Sequence, residues 1–156
     1  MRVEFRAMSR REWRKAITVG IATGAVLAVI NVIAMKSGLS PLPEPLGLAF
    51  AETLLGRHLP LPVGLAFHLV WVTLFCVVYL ALWRDRPSLK YAAGLAGVLW
   101  LAALVVFFPI VGWGVLGLAL GGKPIVPVTV SHALFAAILW GLSRLAFGAG
   151  RRPAVA

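Results

Sequence analysis

Two nine-residue stretches, PLPVGLAFH over residues 60–68 and PIVPVTVSH over residues 124–132, set an imidazole at the same point of two apolar segments. Each begins at a proline, carries a second proline two or three residues on, and reaches a histidine eight residues after the first. The members are Pro60, Pro62 and His68, then Pro124, Pro127 and His132. An ionisable side chain inside a membrane-length apolar run is costly without a partner, so both histidines are candidates for proton or ligand chemistry.

Three chemistries fit a facing histidine pair. The first is a pH-responsive or transport-related element. Imidazole changes charge between about pH 5 and 8, and two that face each other titrate as a coupled unit. Asn31, Tyr79, Ser131 and Thr129 extend such a polar path. The second is a b-type haem held between neutral imidazoles on two helices, with Arg57 or Lys123 near its propionates. The third is a divalent metal, which asks for about four ligands. His68 and His132 then need help from His58, Glu52 or Cys76. Cys76 is two turns deeper than His68 and on a different face, which leaves His58 to fold back from its external segment.

Against these stands a structural role, in which each histidine bonds a neighbour and registers the helices. Interhelical polar contacts in membranes are worth ~0.6 to 2 kcal/mol, enough for that purpose. The pH-responsive reading leads, a non-catalytic accessory or scaffold subunit of a membrane complex follows, and haem or metal binding comes third. The chain carries no phosphate loop, nucleophile elbow or HExxH, so no enzyme is expected. Cys76, alone in an apolar run, is expected to be an inert packing residue and excludes an intramolecular disulfide.

The elements that must position these residues are apolar helices. Of 156 residues, 61% are hydrophobic and 13% charged, with a mean hydropathy of +0.95, far from soluble composition. Four segments, roughly 16–35, 60–83, 91–109 and 124–147, are long enough for a bilayer core of ~30 Å. MRVEFRAMSRREWRK, residues 1–15, resembles the basic start of a signal peptide. The apolar run after it is too long, and IAMKSGLS has no small-x-small cleavage site, so it is expected to be a retained first span.

Charge sets the expected topology. Arg2, Arg6, Arg10, Arg11, Arg14 and Lys15 precede the first span, Arg84, Arg86 and Lys90 fill the loop at 84–90, and Arg144, Arg151 and Arg152 end the chain. Only Lys36, Arg57 and Lys123 lie elsewhere. The positive-inside rule then puts both termini in the cytoplasm. The net charge of +10 is thus mainly a topology signal, with no nucleic-acid recognition motif beside it.

The order of features repeats. Gly20 and Gly24 in the first span answer to Gly94 and Gly97 in the third, and Leu46-Gly47-Leu48-Ala49 to Leu116-Gly117-Leu118-Ala119 in the external segments 36–59 and 110–123. The predicted fold is an all-α, integral-membrane four-helix bundle of two parallel hairpin repeats, 16–83 and 91–147, about a pseudo-two-fold axis. His68 and His132 would each lie ~12 Å below their helix starts, toward the periplasmic half, at 1.5 Å per residue. Helical spacing puts His68, Phe75 and Tyr79 on one stripe with Gly64, and Val128, His132, Leu139 and Ser143 on another. Residues 44–57 are expected to form an interfacial helix with Leu48, Phe50, Leu54 and Leu55 toward lipid. Trp113, Trp13, Trp83 and Tyr91 fit aromatic belts. Short spans with many small residues also admit a homodimer.

Over about 16–147 the chain resembles the YagU-like bacterial inner-membrane proteins. The resemblance rests on the glycine-rich first span, His68-x6-Phe75-x3-Tyr79, Gly94-Leu-Ala-Gly97, Phe108-Pro109-x-x-Gly112 and His132 early in the last span. It implies an inner-membrane location and a part in acid tolerance, and it supplies no catalytic residues. The first external segment is shorter than in that family.

Overall fold

The computed structural model describes residues 7–148. They are all-α. Four helices are long and apolar enough to cross a membrane: α1 (Arg10–Lys36), α3 (Leu61–Trp83), α4 (Leu89–Ile110) and α5 (Ile125–Phe147). The shortest, at 22 residues, is ~33 Å long and so exceeds the apolar thickness of a bilayer. A shorter helix, α2 (Leu46–Leu55), lies between α1 and α3. Arg2, Arg6, Arg151 and Arg152 lie outside the described residues.

Local chemistry accounts for the helix ends. α1 begins at Arg10 rather than near 16, because Ser9 and Glu12 form a capping box. The Glu12 amide donates to Ser9 Oγ at 3.3 Å and the Ser9 amide to Glu12 Oε2 at 2.8 Å, satisfying two amides that the first turn leaves open. α3 starts after Pro60 with Pro62 in its first turn, and α5 starts after Pro124, where a missing amide proton costs nothing. α2 stops at Gly56, which takes the left-handed conformation at φ 64°.

Within α4, residues Ala103–Phe107 are π-helical, and the Phe108 amide bonds to the Ala103 carbonyl. The cause is Pro109, which has no amide proton and whose ring crowds the carbonyl four residues back. One wide turn moves that clash aside and keeps the helix running to Ile110.

Packing is uneven. α1 packs along α3 and against α5, α4 packs along α5, and α2 lies on α3, whereas the α3 and α4 backbones come close at few points. The α1–α3 contact depends on two glycines. A methyl at Gly20 would sit 2.8 Å from Thr73 Cα, and one at Gly24 2.9 Å from Leu69 Cδ1. Gly94 and Gly97, expected as their counterparts, face open space. Gly20 and Gly24 thus sit in a close helix contact, and Gly94 and Gly97 do not.

The long helices alternate in direction. Arg84 at the end of α3 is 4% exposed, and its Nε donates to Glu12 Oε1 at 3.3 Å. Lys15 donates to the Ala146 carbonyl at 2.7 Å, and Trp83 stacks on Tyr91 at 5.0 Å. The cations Arg10, Arg11, Arg14, Lys15, Arg84, Arg86, Lys90 and Arg144 therefore share one end of the molecule. One buried cluster, including Cys76, Tyr79, Leu80 and Leu139, fills that half. A second, around Ala103, Leu104, Phe108 and Trp113, fills the other. Trp113 is buried at 6% with its ring edge-on to Phe108, not at a surface belt. The Gly-rich segment after α4 folds back over it.

Candidate functional site

A cavity of about 580 Å³ lies between the two clusters. Asn31 reaches it from α1, Gly47 and Phe50 from α2, His68 from α3, Phe107 from α4, and Ser131 and His132 from α5. The two histidines therefore border one space. Among the described residues they are also the only titratable groups lining it.

Each histidine has a defined local environment. His132 Nδ1 lies 2.8 Å from the Val128 carbonyl. A carbonyl only accepts, so Nδ1 carries the proton and Nε2 is the acceptor nitrogen of the neutral ring. The Gly24 carbonyl lies beside the His68 imidazole. His68 Nε2 is buried without a hydrogen-bond partner. Such a group in an interior needs a partner that the protein itself does not supply.

The remaining polar lining comes from Asn31 and Ser131. The Ser131 hydroxyl donates to Asn31 Oδ1 at 2.8 Å, leaving the Asn31 amide group as a donor. α2 closes one side of the site because glycines let it approach. A methyl on Gly64 would lie 2.5 Å from Leu48 Cβ, and one on Gly47 would lie 3.4 Å from His68 Cβ. Leu48 is consequently buried against α3 rather than turned to lipid, and Phe50 lines the cavity.

The other site candidates lie elsewhere. The Tyr79 hydroxyl donates to the Ser88 carbonyl and accepts from the Ser88 amide, both at 3.0 Å. It ties the loop after α3, three turns from His68. Thr129 donates to the Ile125 carbonyl and accepts from Trp100 Nε1. Ser143 is buried far along α5, its hydroxyl without a partner. Gly64 faces α2 and Tyr79 the core, so the expected α3 stripe divides between three surroundings. These residues do not form a continuous polar path with the histidine pair.

His58 is fully exposed, and its Nδ1 lies 3.4 Å from Glu52 Oε2. Six residues apart, these two would share no face of a continuous helix. The left-handed turn at Gly56 ends the helix between them and folds the chain back, so that the Leu59 amide also donates to Glu52 Oε1 at 2.8 Å. Among the described residues no group of three or more His, Cys, Asp or Glu side chains is placed to hold a metal ion. Two imidazoles equal the number of axial ligands a bis-histidine haem takes and fall short of the about four that zinc takes.

Sequence reasoning missed the aromatic wall. Phe107 lies 5.0 Å from Phe50 and 5.3 Å from Trp71, and Trp71 lies 5.0 Å from Phe75, all close to edge-to-face. The four rings come from three helices and line the cavity together. Pro109 was the available signal, since the wide turn it imposes carries Phe107. No protein-family model, curated protein or solved structure matches the chain.

Proposed function

We propose that the chain is a small, non-catalytic, multi-pass inner-membrane protein whose His68/His132 pair forms the pH-responsive polar end of an intramembrane ligand site. One observation carries this reading. The unpartnered Nε2 belongs to a histidine on a cavity that is otherwise lined by Asn31, Ser131, His132 and apolar side chains. The gathering of cations at one end supports cytoplasmic termini under the positive-inside rule. The α1–α3 and α4–α5 pairs support an origin in two hairpins, with the halves now diverged at their glycines. The YagU-like resemblance belongs with this reading and brings a role in acid tolerance.

Protonating either imidazole places a charge in an apolar space, where Asn31 and Ser131 are the other polar groups and no carboxylate compensates. Ligand binding would then weaken as pH falls. The test is binding of the neutral fluorophore aminoanthracene to the protein in nanodiscs between about pH 5 and 8. Affinity is expected to fall toward the acid end, and this dependence is expected to vanish in the His68→Gln/His132→Gln double variant. A flat pH profile in the wild-type protein overturns the reading. It would leave the packing role, which the Ser131–Asn31 and His132–Val128 bonds favour.

A further inference from the structure

The geometry points to a lipid-soluble hydroquinone as the occupant of the cavity, held by its hydroxyls on His68 and His132 with its ring against Phe107 and Trp71. This inference rests on the ligand site proposed above and names the class of molecule that the site takes.

The route in is lateral. α3 and α4 are the one neighbouring pair of long helices without extensive contact. Val70 and Trp71, on the cavity wall, are also 70% and 44% exposed. The cavity thus opens on the apolar flank of the molecule, where the surrounding phase would be lipid. A molecule dissolved in the bilayer reaches the histidines without crossing a polar surface, and an apolar tail can remain in the opening.

The lining selects the head group. No Lys or Arg among the described residues borders the cavity, so the carboxylate of a fatty acid or the phosphate of a phospholipid would be buried without a counter-charge. The head is therefore neutral. The Val128 carbonyl fixes the His132 tautomer and leaves Nε2 as an acceptor. His68 Nε2 is the buried orphan, and the tautomer with the proton on Nδ1 makes it a second acceptor. Two acceptor nitrogens on two helices call for a ligand with hydroxyl donors at two positions.

The aromatic wall selects the shape of the head. Phe107 is edge-on to both Phe50 and Trp71, an arrangement that a flat conjugated ring extends. Small residues beside it, Ala102 and Ala103 on α4 and Gly47 on α2, leave the room. A cavity of 580 Å³ is within the ~300–1,000 Å³ of small-molecule sites. A linear alcohol would use one acceptor and leave the rings unfilled. A hydroquinone uses both acceptors and the wall.

The test uses the full chain in nanodiscs without oxygen at about pH 8, where free imidazole is neutral. A decyl-substituted benzohydroquinone and its dimethyl ether compete with bound aminoanthracene. The hydroquinone is expected to displace the fluorophore at one per chain, and methylating both hydroxyls to weaken it at least about tenfold, the scale of one to two hydrogen bonds. His68→Ala and His132→Ala should each weaken the hydroquinone by about that factor and leave the ether unchanged. Equal affinity of hydroquinone and ether on the wild-type protein overturns the inference, whether or not the variants fold. So does a reduced-minus-oxidised haem band in protein from native membranes that is lost in both variants. Aminoanthracene binding with its pH dependence but without displacement by hydroquinone removes the quinol and keeps the site. If aminoanthracene does not bind, both fall.

Discussion

The Ser131 hydroxyl donates to Asn31 Oδ1 at 2.8 Å and so joins α5 to α1 across 100 residues of sequence. The bond lies on the cavity wall beside both histidines and fixes the register of the two helices that carry Asn31 and His132. Asn31→Leu removes the acceptor and leaves the serine hydroxyl to find its own helix backbone. The expected loss is ~0.6 to 2 kcal/mol, read by reversible unfolding in mixed micelles. Asn31→Leu/Ser131→Ala should recover part of it, since neither polar group is then stranded.

Gly64 and Gly97 give opposite outcomes for the same substitution. A methyl at Gly64 meets Leu48 at 2.5 Å to Cβ and 2.7 Å to Cα, and the backbone atom cannot swing away. Gly64→Ala is expected to cost about 1 to 3 kcal/mol and to lift α2 from α3, seen as new protease cleavage within Leu46–Leu55. Gly97 has no heavy atom near its added methyl, so Gly97→Ala should be neutral or stabilising by up to ~1 kcal/mol.

Pro109→Ala restores the amide proton whose absence produces the wide turn at Ala103–Phe107. The segment can then close into regular α-helix, which rotates Phe107 out of the aromatic wall. Thermal stability should hold, while affinity for aminoanthracene falls about tenfold or more, the effect of losing roughly 1.4 kcal/mol. Wild-type affinity in this variant would show that the turn has no part in shaping the cavity.

Glu44 supplies a pH signature at the opposite end from the clustered cations. Partial burial pushes its carboxyl above the ordinary value, the Glu52 charge adds to this, and His58 opposes it. A carboxyl raised in the folded state contributes stability that is present below the unfolded value of about pH 4.3 and is lost as pH rises through the folded one. Glu44→Gln should therefore raise the midpoint of thermal unfolding at about pH 7 and match the wild-type protein near pH 3.5. Parallel curves over the whole range would assign Glu44 to solvent alone.

Much of this protein follows from one dimension. Apolar runs of span length produce four helices because a bilayer offers backbone groups no other partners. Prolines at 60 and 124 mark helix starts because a first-turn amide needs no acceptor. The equal proline-to-histidine spacing puts His68 and His132 at matching positions on two helices of like direction. The Ser9–Glu12 box was equally legible in the sequence, and it moves the start of α1 back to Arg10.

Tertiary structure decided the rest, because helix order around the bundle depends on which faces admit close approach. Gly20 and Gly24 meet Thr73 and Leu69, whereas Gly94 and Gly97 meet nothing, and no local pattern separates the two pairs. Close approach at Gly20 and Gly24 brings α1 onto α3, while the α3 and α4 backbones stay apart along most of their length. The gap becomes the cavity, Phe50, Trp71 and Phe107 meet in it from three helices, and Tyr79 turns away to the Ser88 loop. Spacing along a helix gives each residue a direction, and only the packed neighbours determine what that direction faces.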